Sequence, residues 1–249
     1  MESTIEFPAI WYDITTKDHF WAYWRFNVLK KLLYKLNLDP SAKLLCLDIG
    51  AGQGIIINQL EMYTNWIIDA NDTNPTFKNS SKNRGPYYHF NIHDKPANFK
   101  QKYDLVLILD VLEHIKDEYG FLDSAIFYLK PGGNLIINVP AVQLIYSKYD
   151  NLVGHLRRYN KKQLRNCIKD LNVAELNTVY WGMSLLPLLV LRKLILKFVF
   201  KPDRIIRIGM KPPGNLINSL FKVIANLEVK LSLNVPIGSS IFMILKLNL

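Results

Sequence analysis

Two nearly uninterrupted apolar runs, Leu44–Leu47 and Tyr103–Leu109, stand out along the chain. Neither alternates between polar and apolar positions, which predicts strands that are covered on both faces, as in the centre of a parallel sheet. Other segments rich in apolar and β-branched residues predict five further strands: Asn65–Ala70, Tyr87–Ile92, Asn134–Val139, Val173–Trp181 and Ser239–Leu247.

Segments with a helical spacing of apolar residues separate these strands. The predicted helices are His19–Leu36, Ile55–Met62, Glu118–Leu129, Lys161–Asp170, Ser184–Phe200 and Leu216–Leu231. Residues 73–86 are predicted to form a polar loop, Lys130–Gly133 a turn and Lys211–Gly214 a linker. Strands that alternate with helices predict the α/β class.

The composition fits one domain with an addition. A chain of 249 residues that is 49% hydrophobic has ample material for a core. The two cysteines do not suggest a disulfide framework, and the first residues lack the basic and apolar stretch of a signal peptide. A reducing, cytoplasmic compartment is therefore expected.

Positive charge is concentrated near the C-terminus. The net charge is +10, and the segment from Trp181 to Leu249 holds ten Lys and Arg against two Asp and Glu. The same segment is rich in Leu, Ile, Val and Phe. This combination favours contact with an anionic membrane surface over nucleic acid.

Three glycines at alternate positions follow the first buried strand and its terminal Asp48. Gly50, Gly52 and Gly54 precede the helix Ile55–Met62, and such a turn lets a ligand lie against bare backbone at a positive helix end. The dinucleotide fingerprint G-x-G-x-x-G has its third glycine one residue later. The segment from Asp48 to Gly54 instead resembles motif I of the class I S-adenosylmethionine (SAM) methyltransferases.

Further stretches extend this resemblance over most of the chain. D-V-L-E-H-I from Asp110 resembles motif IV of many small-molecule class I methyltransferases, and L-K-P-G-G from Leu129 resembles their turn before strand 5. The G-H-x-R-R-Y loop within Pro140–Tyr159 and the H-F-W…R opening, His19–Arg25, resemble an uncharacterised bacterial group of methyltransferase-11/23-like proteins.

The resemblance implies a Rossmann-like sheet of seven strands in the order 3-2-1-4-5-7-6. It makes residues 1–249 a single methyltransferase domain, with 1–38 as an N-terminal lid. Residues 182–238 then form a basic helical insert before the last strand. We expect this insert to shape the acceptor site.

The resemblance also implies a site for SAM. A carboxylate after strand 2 would bind the ribose; Asp72 fits the usual spacing from Gly50 better, and Asp69 is the alternative. His93 and Asp94 compete with Asn91 and Ile92 for the adenine. The expected cofactor-binding residues are Asp48, Gly50, Ala51, Gly52, Gly54, Asp72, Asn91, Ile92, Leu109, Asp110 and Arg25.

The loop Pro140–Tyr159 follows strand 5, at the edge of the sheet where ligands bind in open α/β folds. His155 is the first choice of general base and His114 the second, because histidine ordinarily titrates near neutral pH; a structural role stays open for both. An arginine pair in this loop could clamp a phosphate or carboxylate. The expected acceptor-binding residues are Tyr146, Asp150, Arg157, Arg158 and Tyr159.

A metal site is the competing interpretation of one motif. Asp110, Glu113 and His114 resemble the E-x-x-E-H cluster with which some catechol and RNA 2′-hydroxyl methyltransferases bind a divalent ion, and His155 could add a nitrogen ligand. D-V-L-E-H is also common in metal-free relatives, so no metal is expected.

The expected function is SAM-dependent methylation of a hydroxyl or amine on a small-molecule, glycan or lipid-linked acceptor. The expected location is cytoplasmic, with peripheral contact at the inner membrane face. A non-catalytic binding protein of the same fold at a membrane surface is the alternative. Nucleic acid is not expected as a partner, because the N-P-P-Y type signature for base amino groups is absent after strand 4.

Overall fold

The computed structural model describes residues 18–77, 84–211, 213–231 and 235–249, with only the backbone of Met210. Residues 1–17 of the expected lid, residues 78–83 of the predicted loop and Pro212 of the predicted linker lie outside the described residues. The strands are β1 (Leu45–Ile49), β2 (Ile67–Asn71), β3 (Tyr87–Tyr88), β4 (Tyr103–Leu109), β5 (Leu129–Pro140), β6 (Val173–Trp181) and β7 (Ser240–Leu247).

The strands form one seven-stranded sheet in the order β3-β2-β1-β4-β5-β7-β6. β1 to β5 pair in parallel, whereas β7 runs antiparallel to both of its neighbours, β5 and β6. The expected α/β class and strand order are therefore confirmed. The order reverses between β1 and β4, which is where open α/β sheets place their ligands.

Eight α-helices lie in the described ranges. They are α1 (Phe20–Lys35), α2 (Ile55–Tyr63), α3 (Glu118–Phe127), α4 (Lys148–Leu152), α5 (Lys161–Ile168), α6 (Leu186–Lys197), α7 (Pro202–Met210) and α8 (Asn215–Leu231). Short 3₁₀ turns span Ile92–Asp94, Ala97–Phe99, Leu112–His114, Gln143–Ile145 and Met183–Leu185.

The apolar runs of β1 and β4 are buried on both faces, as their composition predicts. Alternate side chains of β4 belong to two separate apolar clusters: Val106 and Ile108 to one, Leu105 and Leu107 to the other. The first cluster includes residues of α3 and α5, and the second includes residues of α1 and α2. The sheet is thus the middle layer of three.

Several element boundaries differ from the prediction. The predicted strand Tyr87–Ile92 ends at Tyr88, and Ile92 begins a 3₁₀ turn. The predicted turn Lys130–Gly133 lies within β5 as an irregularity of the ladder, where Gly132 takes a φ of +75°. The predicted helix Ser184–Phe200 begins as a 3₁₀ turn and its α-helical part ends at Lys197. The helices α4 and α7 were not predicted.

The ends of the segment that carries α6, α7 and α8 meet at the sheet. Trp181 pairs with Ser240 across β6 and β7, and the backbone N–H of Ser239 donates to the carbonyl of Gly182 at 3.3 Å. The Glu228 carboxylate on α8 accepts hydrogen bonds from three successive backbone N–H groups beginning at Gly182, at 2.6–3.2 Å. This segment is therefore tied closed at its base.

α8 also packs against α1. The Asn218 side chain accepts a hydrogen bond from the backbone N–H of Phe20 at 2.9 Å, and the rings of Phe20 and Phe221 lie 4.7 Å apart. The Tyr23 hydroxyl donates to Asn226 at 3.0 Å. Among the helices described, none has the length and apolar character needed to cross a bilayer.

Candidate functional site

A cleft of about 880 Å³ lies at the carboxyl edge of the sheet. The turn after β1 forms its floor, with Gly50 at φ +75° and Gly52 at φ +53°. A side chain at Gly50 would strike Val111, because a Cβ there would lie 2.4 Å from the Val111 Cγ2 atom. The turn thus needs glycine for its backbone conformation and for its close approach to the segment after β4.

Asp48 projects into this cleft from the end of β1. Its side chain is almost fully buried, and its Oδ2 atom has no hydrogen-bond partner among the described residues. Burial raises the pKa of Asp48 to about 7, with a smaller contribution from the charge of Asp72 and an opposing one from Arg25. A buried acceptor without a donor is costly, so this oxygen marks a place for a ligand that donates hydrogen bonds or carries positive charge.

Asp72 lies directly after β2 and lines the cleft. Its Oδ2 accepts the backbone N–H of Gly52 and its Oδ1 accepts that of Asn74, both at 2.9 Å. The Tyr87 hydroxyl donates to the Gly52 carbonyl at 2.7 Å and fixes the same turn from the other side.

Asp69, the alternative to Asp72, is buried within β2 and does not line the cleft. It pairs with Lys102 at 2.9 Å and accepts the hydroxyl of Tyr103 at 2.8 Å. These contacts make Asp69 part of the sheet's internal packing, and of the two carboxylates only Asp72 lines the cleft.

The segment after β3 contributes Asn91, Ile92 and His93 to the cleft lining. The Asn91 side chain caps the 3₁₀ turn by accepting the backbone N–H of His93 at 3.0 Å, whereas Ile92 is buried. Asp94 is absent from the lining. The geometry therefore keeps Asn91, Ile92 and His93 as candidates and sets Asp94 aside.

Arg25 and Asp110 form an ion pair at the wall of the cleft beside Leu109. Asp110 has a φ of +60° and also accepts a hydrogen bond from Asn138 at 2.8 Å, while Asn138 accepts one from Trp181 at 2.9 Å. Arg25 was expected among the cofactor-binding residues. In this structure its carboxylate partner is Asp110, because α1 lays it directly over the end of β4.

His155 lines the cleft, and Asp150 holds it from behind. The Asp150 Oδ1 atom accepts Nδ1–H of His155 at 3.1 Å and lies 2.7 Å from the Arg158 guanidinium. Its Oδ2 atom accepts the N–H and hydroxyl of Ser147, at 2.8 and 3.0 Å. Although burial opposes it, these donors hold the pKa of Asp150 well below its usual range. The carboxylate therefore stays ionised and can only accept hydrogen bonds.

One of the expected acceptor contacts, Asp150, is corrected by this arrangement. Asp150 is fully buried and does not line the cleft, so it positions His155 instead of meeting an acceptor. Arg158 does line the cleft, and its Nε and both terminal nitrogens bond to Asp150 and to the Ala141 carbonyl, so its contact with an acceptor stays a prediction.

Arg157 points away from Arg158, so the two do not form the expected clamp. Arg157 pairs with Glu118 on α3, and Tyr159 donates its hydroxyl to the same carboxylate at 2.6 Å. The Tyr146 hydroxyl oxygen lies 2.6 Å from both the Asn151 side-chain oxygen and the His155 carbonyl, and its one proton serves these two acceptors. None of Arg157, Tyr159 and Tyr146 lines the cleft. These three predictions are corrected: the side chains fasten the loop.

Glu113 and His114 face His155 from the 3₁₀ turn after β4. Glu113 is fully buried, and neither carboxylate oxygen has a hydrogen-bond partner among the described residues. Burial, then the charge of Asp110, raises its pKa well above the usual range. Burial lowers the pKa of His114 to about 3, and its Nδ1–H donates to the Gly154 carbonyl at 3.0 Å.

One nitrogen of each ring and one Glu113 oxygen lie within 4.8 Å of one another, and His155 Nε2 is 3.7 Å from Glu113 Oε1. Two histidines and a carboxylate are donors that a divalent ion accepts. Asp110, the remaining residue of the sequence cluster, is held by Arg25 and Asn138 instead.

The wall of the cleft that α6, α7 and α8 form was not predicted residue by residue. It consists of apolar side chains from α6, α7 and α8, together with Arg192 of α6. The α6 residues of this wall recur at intervals of three and four, which places them on one helical face. They are Leu188, Leu191, Arg192 and Ile195. That periodicity was available in the sequence, but which face meets the cleft depended on the packing of the insert.

A family model described as a methyltransferase domain matches residues 21–176. No curated protein sequence matches the chain. The fold is similar to a Burkholderia thailandensis 1,6-didemethyltoxoflavin-N1-methyltransferase with its bound acceptor and S-adenosylhomocysteine (SAH), at 12% identity and TM-score 0.56, covering 96% of this chain and 81% of that one.

Two further solved structures share the fold. A SAM-dependent methyltransferase from Archaeoglobus fulgidus has 12% identity and a TM-score of 0.52, covering 89% of this chain and 94% of that one. The [4+2]-cyclase SpnF has 12% identity and a TM-score of 0.58, covering 90% and 81%. At these identities the likeness shows the fold alone.

Proposed function

The chain belongs to the methyltransferase-domain family of class I SAM-dependent enzymes, and on that premise we propose that its cleft methylates a hydroxyl or amine of an acceptor, with His155 as general base. One observation carries the proposal. The glycine turn after β1 and a histidine fixed by a buried carboxylate line the same cleft. Methyl transfer mainly requires the donor and the acceptor to be held close and aligned, and this cleft has a candidate donor side at the glycine turn and a candidate acceptor side at the histidine.

The residues of the cleft fit SAM, which supplies a methyl group on a positively charged sulfur when it is bound. Asp48 offers a buried, unpartnered oxygen to the ammonium group of the methionine part. The backbone of the glycine turn at the start of α2 would face the cofactor, Asp72 would accept hydrogen bonds from the ribose hydroxyls, and Asn91 with Ile92 would bind the adenine.

His155 would remove the acceptor proton. Its Nδ1–H is committed to Asp150, so in the neutral ring Nε2 carries the lone pair that accepts the proton. The Asp150 carboxylate then stabilises the imidazolium. His114 is the weaker candidate, because its lowered pKa makes it a poor base at neutral pH.

Calorimetric titration of the whole chain with SAM and with SAH tests the donor site. We expect micromolar affinity that falls at least about tenfold in Asp72→Ala, since a charged hydrogen-bond acceptor is lost. Asp170→Ala, which changes an exposed acid outside the cleft lining, is the matched control and should bind as the wild type does. Absence of binding to the folded wild type would refute the proposal.

Turnover is tested with hydroxylated small molecules, glycans and lipid-linked sugars as acceptors, with His155→Gln as the variant. We expect loss of transfer with SAH binding retained. A chelator arm is included: loss of activity on chelation, with recovery on adding a divalent ion, would make His155 a metal ligand instead of the base. Because one structural relative is a cyclase, the fold does not establish turnover; binding without turnover would leave the non-catalytic binding protein.

We also propose peripheral contact with an anionic membrane, at the inner face for a cytoplasmic protein. The support is the exposed apolar surface of the insert, including Phe198 and Leu216, among basic residues. Co-sedimentation with phosphatidylglycerol vesicles at low salt, and none with phosphatidylcholine vesicles, is the expected result. Equal behaviour with both would refute it.

A further inference from the structure

The wall that α6, α7 and α8 give to the cleft is apolar and open to solvent. Leu191 illustrates this, because it lines the cleft and is still 53% exposed. The side chains that combine cleft lining with exposure are Leu188, Leu191, Ile195, Ile208 and Ile217. Single exposed apolar residues are common, but a contiguous set that continues a cleft marks a surface for an apolar ligand.

Arg192 lies on this same face of α6 and lines the cleft. One terminal nitrogen donates to the Gly209 carbonyl at 2.9 Å, and the guanidinium lies 4.8 Å from the centre of the Tyr149 ring. Its Nε atom is buried without a hydrogen-bond partner among the described residues. An arginine held in this way presents a fixed positive charge and at least one unused donor.

The cleft arginines differ in one respect. Arg25 is paired with Asp110 and Arg158 with Asp150, whereas no described carboxylate lies within 4.0 Å of Arg192. Two cleft lysines, Lys116 and Lys211, likewise have no described carboxylate within 4.0 Å. Arg192 therefore brings a positive charge without a carboxylate partner to the apolar wall, whereas the other two cleft arginines, Arg25 and Arg158, are neutralised.

We propose that the acceptor is an anionic amphiphile, in which the hydroxyl or amine to be methylated belongs to a head group that a phosphate or comparable anion joins to a long isoprenoid- or acyl-type chain. The chain lies along the wall from α6 to α8, and the anion binds Arg192. This inference rests on the proposed function, since it names the acceptor of the same cleft. A small polar acceptor would leave the apolar wall in water, and an uncharged lipid would leave Arg192 without a counter-charge.

The charge of the insert supports this choice. Leu186–Leu231 contains nine Lys and Arg against two Asp and Glu. One of those acids, Glu228, is occupied by backbone N–H groups at the start of the segment. An anionic ligand that arrives at this face therefore meets a surplus of positive charge.

Calorimetry on the full chain with SAH present tests the inference with three probes: geranylgeranyl phosphate below its micellar concentration, geranylgeraniol and inorganic phosphate. We expect the first to bind with micromolar affinity and the other two at least about thirtyfold more weakly, since each lacks one half of the recognition. Absence of binding by geranylgeranyl phosphate, or equal binding by either control, overturns the proposal.

Matched variants locate the two halves of the site. Leu191→Gln should weaken geranylgeranyl phosphate binding at least about fivefold, whereas Leu194→Gln, on the same helix and 48% exposed but outside the cleft lining, should not. Arg192→Gln should weaken it about tenfold, Arg192→Lys should restore part of it, and the exposed control Lys197→Gln should have no effect.

The outcomes separate this inference from the proposed function. Absence of SAH binding by the wild type would refute the proposed function. Normal SAH binding with equal effects of Leu191→Gln and Leu194→Gln would overturn the acceptor assignment alone. A stable dimer in sedimentation that Leu191→Gln and Leu194→Gln both dissociate would overturn it as well, because a second copy would then cover the wall.

Discussion

Replacing Asp150 with Asn is the sharpest test of the loop that holds His155. The substitution keeps the size of the side chain and removes its charge. Asp150 is fully buried and accepts hydrogen bonds from His155, from the Arg158 guanidinium and from Ser147, all at 2.7–3.1 Å. An amide has only one acceptor oxygen, so at least one of these donors loses its partner and Arg158 is left as a buried, uncompensated charge.

The expected cost is about 3–5 kcal/mol of the free energy of unfolding, the range for removing one partner of a buried ion pair. The exposed pair of Asp123 with Lys95 gives the control, because its carboxylate side chain is 51% exposed. Asp123→Asn should cost less than about 1 kcal/mol. Urea denaturation at pH 7, followed by circular dichroism, measures both variants.

The pH dependence adds a second test of the same residue. A carboxyl group whose pKa is lowered on folding stabilises the protein above its unfolded pKa of about 3.9, and this contribution is lost as the pH falls through the lower folded value. Asp150→Asn should therefore remove part of the loss of stability between pH 4 and the acid limit. If its unfolding free energy at pH 7 matched that of Asp123→Asn, the reasoning about the buried pair would be wrong.

Three further predictions concern the donor side and the loop. Asp48→Asn should raise the free energy of unfolding at pH 8 by at least about 1 kcal/mol, because the protein loses stability as the pH rises toward the raised pKa of the Asp48 carboxyl, about 7. The same substitution should weaken SAH binding. Urea melts measure the first effect and calorimetry the second. Gly50→Ala should abolish SAH binding and cost about 1–3 kcal/mol, whereas Gly52→Ala, which meets nothing within 4 Å, should cost less in the same melts. Tyr159→Phe should cost about 1–2 kcal/mol by removing the bond to Glu118 while SAH affinity stays unchanged; a shift in SAH affinity would contradict its position outside the cleft.

The fold was predictable because its signals are local and strong. The runs of β1 and β4 are apolar on both faces, so each strand must be covered on both sides, which predicts its central place in the sheet. The glycine turn after Asp48 was predictable for a similar reason, since positive φ and close approach to Val111 restrict those positions to glycine.

The loop from Pro140 to Tyr159 was predictable in location but not in detail. Its backbone is irregular, with Val142 at φ +64°, so no period tells which side chain faces the cleft. Neighbouring arginines consequently go to opposite partners, Arg157 to Glu118 and Arg158 to Asp150. Arg192 was missed because its place depends on how the insert folds back over the sheet.

The hydrogen-bonded base of the segment between Gly182 and Gly238 has an evolutionary meaning. Its two ends already touch across β6 and β7, so the cost of joining these strands through about 57 residues is mainly the entropy of closing one loop. Closure entropy grows only slowly with loop length. The part that carries α6 and α7 is therefore exchangeable: a lineage could replace it, or a designer could graft another in its place, and alter what the cleft accepts while α8 keeps its packing on α1.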